Sequence, residues 1–496
     1  MDFPIQLDSQ SNVPLHRQLY DEIRRSILSG RLPRGQKVPS TRSLSDSLDI
    51  SRATVTMAYE YLLSEGYLEA TTGSGTYVCR QLPDELLRAK SSDGKRKDSS
   101  TVGRKPGPVP NYKRLSKFGS HLRDKPWMSL GGYEPEIQFS FGRPSINDLP
   151  MRQWMSLYNE RVRNAEFSEL DCPSKAAGYL PLRQAIAGYL SRARAVACQA
   201  EQIVIVNGSQ QAIDLVTRVL VDRGDAVGIE DPGYIGAKKS LESQGAQLIA
   251  LPVDSAGIVV AHLKQHGNNL KLVYVTPSHQ FPTGVVMSLP RRLELLSWAH
   301  QTGTYIIEDD YDSEYRYTGR PIPALAGLEH HETVIYMGTF SKVLFPALRL
   351  GYLVLPPPLV SVFERAKWIA DRHSPLLEQQ VLTDFINGGF LDRHIRRMRA
   401  LYEQRRKTVI SALRDHFGEN VTTYGDNAGI NILIRLKTDK SDQEILSAAK
   451  ELGISIASTS PFYLGTAPAG EFLLNYGGLS EETIKEGVRR LRLAAH

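Results

Sequence analysis

Cysteine is nearly missing from this chain: 496 residues carry three, Cys79, Cys172 and Cys198, with no CxxC spacing among them. That excludes a disulfide-stapled framework and a zinc-ribbon site, and predicts reduced thiols in a cytoplasmic protein. No metal site is expected. Apolar runs of about 18 residues or more are also missing, so no membrane span is predicted. The opening residues, MDFPIQLDSQSNVPLHRQLY, have no basic segment followed by an apolar one, which argues against a secretory signal. No internal repeat with a period of about 20–50 residues is present, which excludes a solenoid. Charge of one sign is scarce except in one place. The net charge is +6, yet residues 1–80 carry 9 basic and 9 acidic side chains. Residues 81–125 carry 12 basic against 5 acidic, and the rest of the chain is balanced to within one charge.

What is present falls into three regions. Residues 1–80 hold two helical apolar patterns and a short hairpin. Residues 81–125, including SSDGKRKDSSTVGRKPGPVP, are rich in Ser, Gly, Pro and Lys with almost no large apolar side chains. Such a stretch cannot bury enough surface to offset its ordering entropy, so it reads as a basic flexible linker. It is either simply solvated or also brushes a phosphate backbone. Residues 126–496 alternate helical patterns with short apolar runs at 202–207, 225–230, 270–276, 304–309, 333–338 and 351–356. Continuous apolar strands of this kind suit a mostly parallel sheet covered on both faces. Beyond Leu359 the pattern changes to long helices and a few late strands, which predicts a smaller α+β lobe. The fold class is therefore α/β, preceded by a small N-terminal domain.

In PLHRQLYDEIRRSIL, Leu15, Leu19, Ile23 and Ile27 recur every four residues, the spacing of an amphipathic helix. After a Gly/Pro break, Ser40 can cap a short helix, and Ser51 can cap the next, which begins RATVTMAYEYLL. Two short helices joined by a tight turn form a helix-turn-helix, whose second helix enters the major groove by its N-terminal end. Arg52, Thr54 and Thr56 occupy that end; arginine suits guanine edges or phosphate, and threonine suits phosphate or a thymine methyl. YLEATTGSGTYVC then reads as two strands around the tip Thr72–Gly75, a wing whose small residues, Gly73 and Gly75 among them, allow close approach to DNA. The plainer alternative is a small helical interaction domain with solvated polar side chains. Over residues 38–68 the sequence resembles the winged helix-turn-helix of GntR-type bacterial regulators. That resemblance implies that Arg42, Ser51, Arg52 and Thr54 face a double-stranded operator.

GTFSKVLFPALRLGY, at 338–352, places a lone lysine, Lys342, after Thr339 and Ser341, with Arg349 seven positions later. This points to pyridoxal 5'-phosphate, which needs an amine for its aldehyde, donors for its phosphate, an acid at its ring nitrogen and an aromatic wall. Ser209 and Gln210 open a helix after VIVNG, where backbone N–H groups can bind a dianion. IIEDDYDSEY puts Glu308, Asp309 and Asp310 at the end of an apolar strand, and one of them beside a pyridine nitrogen would keep it protonated. Tyr311 can donate to a phenolate oxygen, and Tyr234 in EDPGY can stack on a ring. Taken singly these features also fit an ordinary helix cap and an ordinary solvated acidic loop.

Together, NGSQQAIDL, EDPGY, TPSHQFPTG, EDDYDSEYRY and the lysine segment resemble fold-type I aminotransferases, and more closely the MocR/GabR regulators that carry a GntR-type head. The resemblance implies that Lys342 holds the cofactor as an aldimine and that Asp309 meets the ring nitrogen. It further implies that Tyr311 bonds the phenolate oxygen, Tyr234 stacks, and Ser209, Gln210, Thr339, Ser341 and Arg349 hold the phosphate. Three features depart from working aminotransferases. No arginine lies between Arg435 and Arg489 to grip a substrate carboxylate, leaving Asn475 in that region. Phe281 stands where an asparagine is usual, and no tyrosine precedes Gly178 in the usual register. The expected protein is a homodimeric, cofactor-dependent transcription regulator, with no catalytic residues assigned, that senses a small amine or amino acid by aldimine exchange at Lys342. A sensor of the cofactor itself is the alternative, and an active aminotransferase is a third reading.

Overall fold

The computed structural model describes residues 7–8, 11, 13–71, 73–82, 115–124, 135–139, 142–166, 175–317, 322–425 and 427–496. It divides into two compact units, Met1–Asn111 and Tyr112–His496, each with its own apolar core. Among the described residues no helix is long and apolar enough to cross a membrane.

In the first unit the four-residue spacing does form a helix, Leu15–Leu28, which buries Leu19, Ile23 and Ile27 against Val55, Ala58 and Leu62. The helices Thr41–Leu48 and Arg52–Ser64 are separated by a turn in which Asp49 takes a left-handed conformation at φ 52°. The hydroxyl of Ser40 accepts from the Ser43 amide and that of Ser51 from the Thr54 amide, both at 3.1 Å. Each cap contributes about 1 kcal/mol by satisfying an otherwise orphaned N–H. Strands Leu68–Thr71 and Gly75–Val78 pair antiparallel, from Leu68 opposite Val78 to Thr71 opposite Gly75, and make the wing. Of its tip, Thr72 lies outside the described residues.

The second unit centres on an eight-stranded sheet, in the order 203–206, 351–354, 334–339, 305–310, 270–275, 226–231, 247–254, 257–258. Six of these strands point the same way, five of them paired parallel to one another, and all six apolar runs seen in the sequence form strands. The run at 351–356 departs from the parallel expectation: Gly351–Val354 is antiparallel to both neighbours. The stretch between Thr339 and Gly351 holds a turn and the short 3-10 helix Pro346–Leu348 but no α-helix to cross the sheet, so the chain folds straight back beside its own strand. That return stretch carries Lys342 and Arg349.

A second difference lies in the predicted linker. Most of 81–125 lies outside the described residues, but Lys117–Asp124 is a helix lying against Ile235–Gln244. Leu115, Phe118 and Leu122 recur there at helical spacing. The smaller lobe has a four-stranded antiparallel sheet, 421–424, 431–436, 471–475 and 457–458. The helices Phe390–Phe417 and Glu481–Ala495 pack together on it.

One buried ion pair ties the helix Leu180–Arg194 to the central strand. Arg194 Nε donates to Asp310 Oδ2 at 2.6 Å, its Nη2 reaches Ser278 Oγ at 2.6 Å, and the Tyr336 hydroxyl donates to the same Asp310 oxygen at 2.5 Å. Removing one partner strands the other's charge away from water. Asp310→Ala is expected to lower unfolding free energy by about 3–5 kcal/mol in a urea titration. Glu294→Ala, which breaks the exposed pair with Lys264, is expected to cost below about 1 kcal/mol.

Candidate functional site

A cavity of about 250 Å³ opens at the C-terminal ends of the parallel strands. Open α/β sheets bind ligands at this edge, where loops and helix starts converge. Lys342, Asp309, Tyr311, Tyr234, Ser209, Gln210, Thr339, Ser341 and Arg349 all line it, so every cofactor residue expected from the sequence comes to one place. The lysine amine donates to the Gly142 carbonyl at 3.0 Å, and a Cβ on Gly142 would lie 2.8 Å from that amine. Burial holds the Lys342 amine below its ordinary pKa, against the opposing pull of Asp312 and Asp309. A lysine so placed is a better nucleophile toward a carbonyl carbon than a solvated one.

Strand alternation separates the three acids. Glu308 and Asp310 point away from the cavity. Glu308 accepts from the backbone N–H groups of Leu325 and Ala326 at 2.7 and 2.9 Å, and Asp310 binds Arg194. Asp309 alone faces the cavity, one oxygen accepting from the Tyr274 hydroxyl at 2.5 Å. Its other oxygen is buried without a hydrogen-bond partner among the described residues. A buried carboxylate oxygen left open calls for a donor, and a protonated ring nitrogen is one. Burial, helped by Asp310 and Asp312, pushes Asp309 up to about 7.

The opposite end is built for an anion. The helix Ser209–Leu220 starts at the cavity after Gly208, whose φ of 83° and close approach to Arg349 leave no room for a side chain. Free N–H groups at a helix start carry partial positive charge. The Arg349 Nη2 donates to the Asn207 carbonyl at 2.8 Å, which holds the guanidinium over that helix start. Thr339 Oγ1 accepts from the Ser341 amide at 3.2 Å, and the Ser341 hydroxyl is buried with no partner among the described residues. The Gln210 amide group is engaged with Ser240 Oγ at 2.6 Å, so its backbone is the part left for an anion.

Aromatic rings form the side wall. Tyr234 meets Phe281 edge-on at 5.9 Å between centroids, and Phe281 meets Tyr311 edge-on at 6.2 Å. Sequence reasoning did not single out Gly142, Thr276 or Asn431, which also line the cavity, or Tyr274 and His279 behind it. Thr276 and His279 sit inside the quoted TPSHQFPTG stretch, where no role was assigned to them, whereas Gly142, Tyr274 and Asn431 reach the site through tertiary packing alone. Asn475, in the region where a working aminotransferase is expected to place an arginine, is not a lone polar group. Its amide donates to Asn431 Oδ1 at 3.0 Å across paired strands. Among the described residues that line the cavity, Arg349 is the only arginine.

In the head, Arg42, Ser51 and Arg52 are exposed, as are Gly73 and Gly75. Thr54 and Thr56 are half-buried on the same helix start. Ser51 Oγ is taken up by the Thr54 cap, and Thr56 donates to the Arg52 carbonyl at 2.9 Å. Lys37, absent from the sequence-based set, runs beside the wing and would collide with any Cβ on Gly75.

A wide parallel sheet with a lysine, an open buried acid and an anion cradle at its loop edge defines an aminotransferase-like domain. The capped helices and wing define a DNA-binding head. Residues 137–491 match the family aminotransferase class I and II, and residues 15–78 match the bacterial regulatory proteins of the gntR family. The chain belongs to the MocR-type regulators that join these two domains, and it is a transcription regulator rather than an enzyme.

Among its relatives is the probable rhizopine catabolism regulatory protein MocR of Rhizobium meliloti, 38% identical over 98% of this chain and 95% of that protein. The pyridoxine biosynthesis transcriptional regulator PdxR of Corynebacterium glutamicum is 30% identical over 98% of this chain and 96% of its own length. Of solved structures, the multiple substrate aminotransferase of Thermococcus profundus aligns with a TM-score of 0.71 at 28% identity, covering 78% of this chain and 98% of that one. The α-aminoadipate aminotransferase LysN of Thermus thermophilus, solved with N-(5'-phosphopyridoxyl)-L-leucine, aligns at 0.67 and 29% identity, covering 72% and 92%.

The raised Asp309 makes a pH prediction for the cofactor-free protein. Its folded pKa lies above its unfolded value, so the native state binds more protons between about pH 4 and 7. Stability from this group is full below its unfolded pKa and is lost as pH rises through about 7. Urea midpoints measured from pH 5 to 8 should therefore fall less steeply in Asp309→Asn than in the wild type; equal slopes would contradict the burial argument.

Proposed function

We propose that this regulator binds pyridoxal 5'-phosphate in the 250 Å³ cavity and uses the bound cofactor to read a small primary amine. The observation that carries the reading is the convergence of a partly buried lysine, an acid with one open oxygen and a helix-start anion cradle on one cavity. Lys342 holds the aldehyde, Asp309 pairs with the ring nitrogen, and Tyr311 faces the ring oxygen. Tyr234 stacks on the ring, while Ser209, Gln210, Thr339, Ser341 and Arg349 hold the phosphate. When bound, the cofactor supplies an electrophilic carbon to which primary amines add reversibly. Lys342, as the amine this chain would supply to the cofactor, would be the group a small-molecule amine displaces. The neutral Asn431–Asn475 pair favours an amine without an α-carboxylate, because amides bind a carboxylate far less well than a guanidinium fork does.

On the DNA side, Arg42 and Arg52 contact a double-stranded operator, with Ser51 fixing the helix start, Thr54 and Thr56 beside it, and Gly73 and Gly75 letting the wing approach the backbone. The protein works as a homodimer in the cytoplasm, since two heads match the two half-sites of an operator. Coupling between amine and operator of about 1–3 kcal/mol is enough for a roughly 5–150-fold change in affinity. A second reading, that the cofactor itself is the signal, is favoured by the scarcity of guanidinium groups in the cavity. Operator titrations with and without the cofactor separate the two.

Lys342→Ala is expected to keep operator binding but lose its response to amines that perturb the cofactor's visible absorbance. A variant that responds like the wild type would overturn the covalent reading. Arg52→Ala should weaken operator binding in a fluorescence-anisotropy titration by about 1–3 kcal/mol, with no change in the melting curve.

A further inference from the structure

Behind Tyr311 lies a buried pair to which the cofactor-binding reading gives no role. His279 and Asp312 are 3% and 1% exposed. His279 Nδ1 stands 3.0 and 3.1 Å from the two Asp312 oxygens, and the same nitrogen stands 3.0 Å from the Tyr311 hydroxyl. A nitrogen lone pair aimed at a carboxylate would be repelled, so Nδ1 carries a hydrogen whether the ring is neutral or charged. That hydrogen lies between Asp312 and the Tyr311 oxygen. The tyrosine oxygen therefore accepts from this side, and its own proton is left to point elsewhere.

Only one direction is open to it. His279 is the sole hydrogen-bond partner of the Tyr311 hydroxyl among the described residues, and the neighbouring Phe281 ring, near-perpendicular to Tyr311, offers no hydrogen-bond acceptor. The remaining side is the cavity that Lys342 and Asp309 also line. Burial first, then Asp312, Asp309, Glu230 and Asp310, hold the phenol far above its ordinary pKa, so it stays a donor. The pair is also held rigidly. Gly429, at φ 73°, packs so closely that a Cβ there would run into the His279 ring and the Asp312 carboxylate. Gly429 is pinned in turn, its carbonyl accepting from the hydroxyls of Tyr317 and Tyr476 at 2.5 and 2.7 Å.

We propose that His279 and Asp312 form a positioning pair that occupies the acceptor side of Tyr311 and directs the phenol proton at the ring oxygen of the bound cofactor. The proposal rests on the cofactor-binding reading above. Its physical consequence is on Lys342. A donor on the ring oxygen withdraws negative charge from the atom facing the lysine nitrogen, so that nitrogen holds its proton less tightly. Loss of the donor leaves more charge there and raises the pH at which the proton leaves.

The test is a pH titration of the visible absorbance of the full-length protein loaded with pyridoxal 5'-phosphate. The charged groups facing His279, Tyr311 and Lys342, namely Asp312, Asp309, Asp310 and Glu230, are unchanged in every variant. His279→Leu is expected to raise the titration midpoint by about one pH unit, a tenfold change in proton affinity. Tyr311→Phe should raise it at least as far, and adding His279→Leu to Tyr311→Phe should shift it no further, because the pair acts only through the hydroxyl. His279→Phe, which keeps a ring in the same space and leaves every neighbouring charge in place, should shift it in the same direction and covers the case that His279→Leu does not fold. A loaded variant with the wild-type midpoint, or an additive shift in the double variant, would overturn the positioning role alone. A wild-type protein that takes up no cofactor would overturn both readings.

Discussion

Everything at this site depends on burying one carboxylate with half of its hydrogen-bonding capacity unused. Asp309 sits at the end of a central parallel strand, with one oxygen tied to Tyr274 and the other open toward the cavity. An open acceptor in a dry setting destabilises the fold by itself, by about 1–3 kcal/mol. It persists because the strands on either side fix the register and because the flanking acids are discharged on the other face. Glu308 caps a helix start and Asp310 is locked to Arg194. A cationic ring nitrogen would complete the arrangement.

The antiparallel return from Thr339 to Gly351 is the second element on which the site relies. A helical crossover here would have carried Lys342 away from the strand ends. The short return instead keeps the lysine, the hydroxyls of Thr339 and Ser341, and Arg349 beside the start of the Ser209–Leu220 helix. Arg349 adopts a left-handed backbone at φ 50°, a conformation that costs a non-glycine residue about 1 kcal/mol or more. Its guanidinium is held in exchange by the Asn207 carbonyl. The aminotransferase architecture is thus retained around the residues proposed to hold the cofactor, while the small lobe contributes the neutral Asn431–Asn475 pair.

Much of this was legible in the sequence, for physical reasons that differ by element. The head could be read almost residue by residue because caps, turns and a four-residue apolar period are local signals; Ser40 and Ser51 do cap their helices. The strands were legible as apolar runs, but their direction was not, since the 351–356 run looks the same parallel or antiparallel. Only the short connection decides it. Among Glu308, Asp309 and Asp310 the sequence left three candidates, and alternation along the strand separates them. Tyr274 and Asn431 went unseen because no local pattern announces a residue that acts across the fold; His279 stood in a recognised stretch, but its partner Asp312 becomes visible only once the chain is folded.

The central claim is that Lys342 carries the cofactor, and one measurement addresses it most directly. The protein loaded with pyridoxal 5'-phosphate is reduced with borohydride, digested and mapped by mass spectrometry. The account predicts the reduced pyridoxyl adduct on the peptide containing Lys342 and on no other. An unmodified Lys342 peptide, or an adduct confined to another lysine such as the buried Lys367, would contradict it.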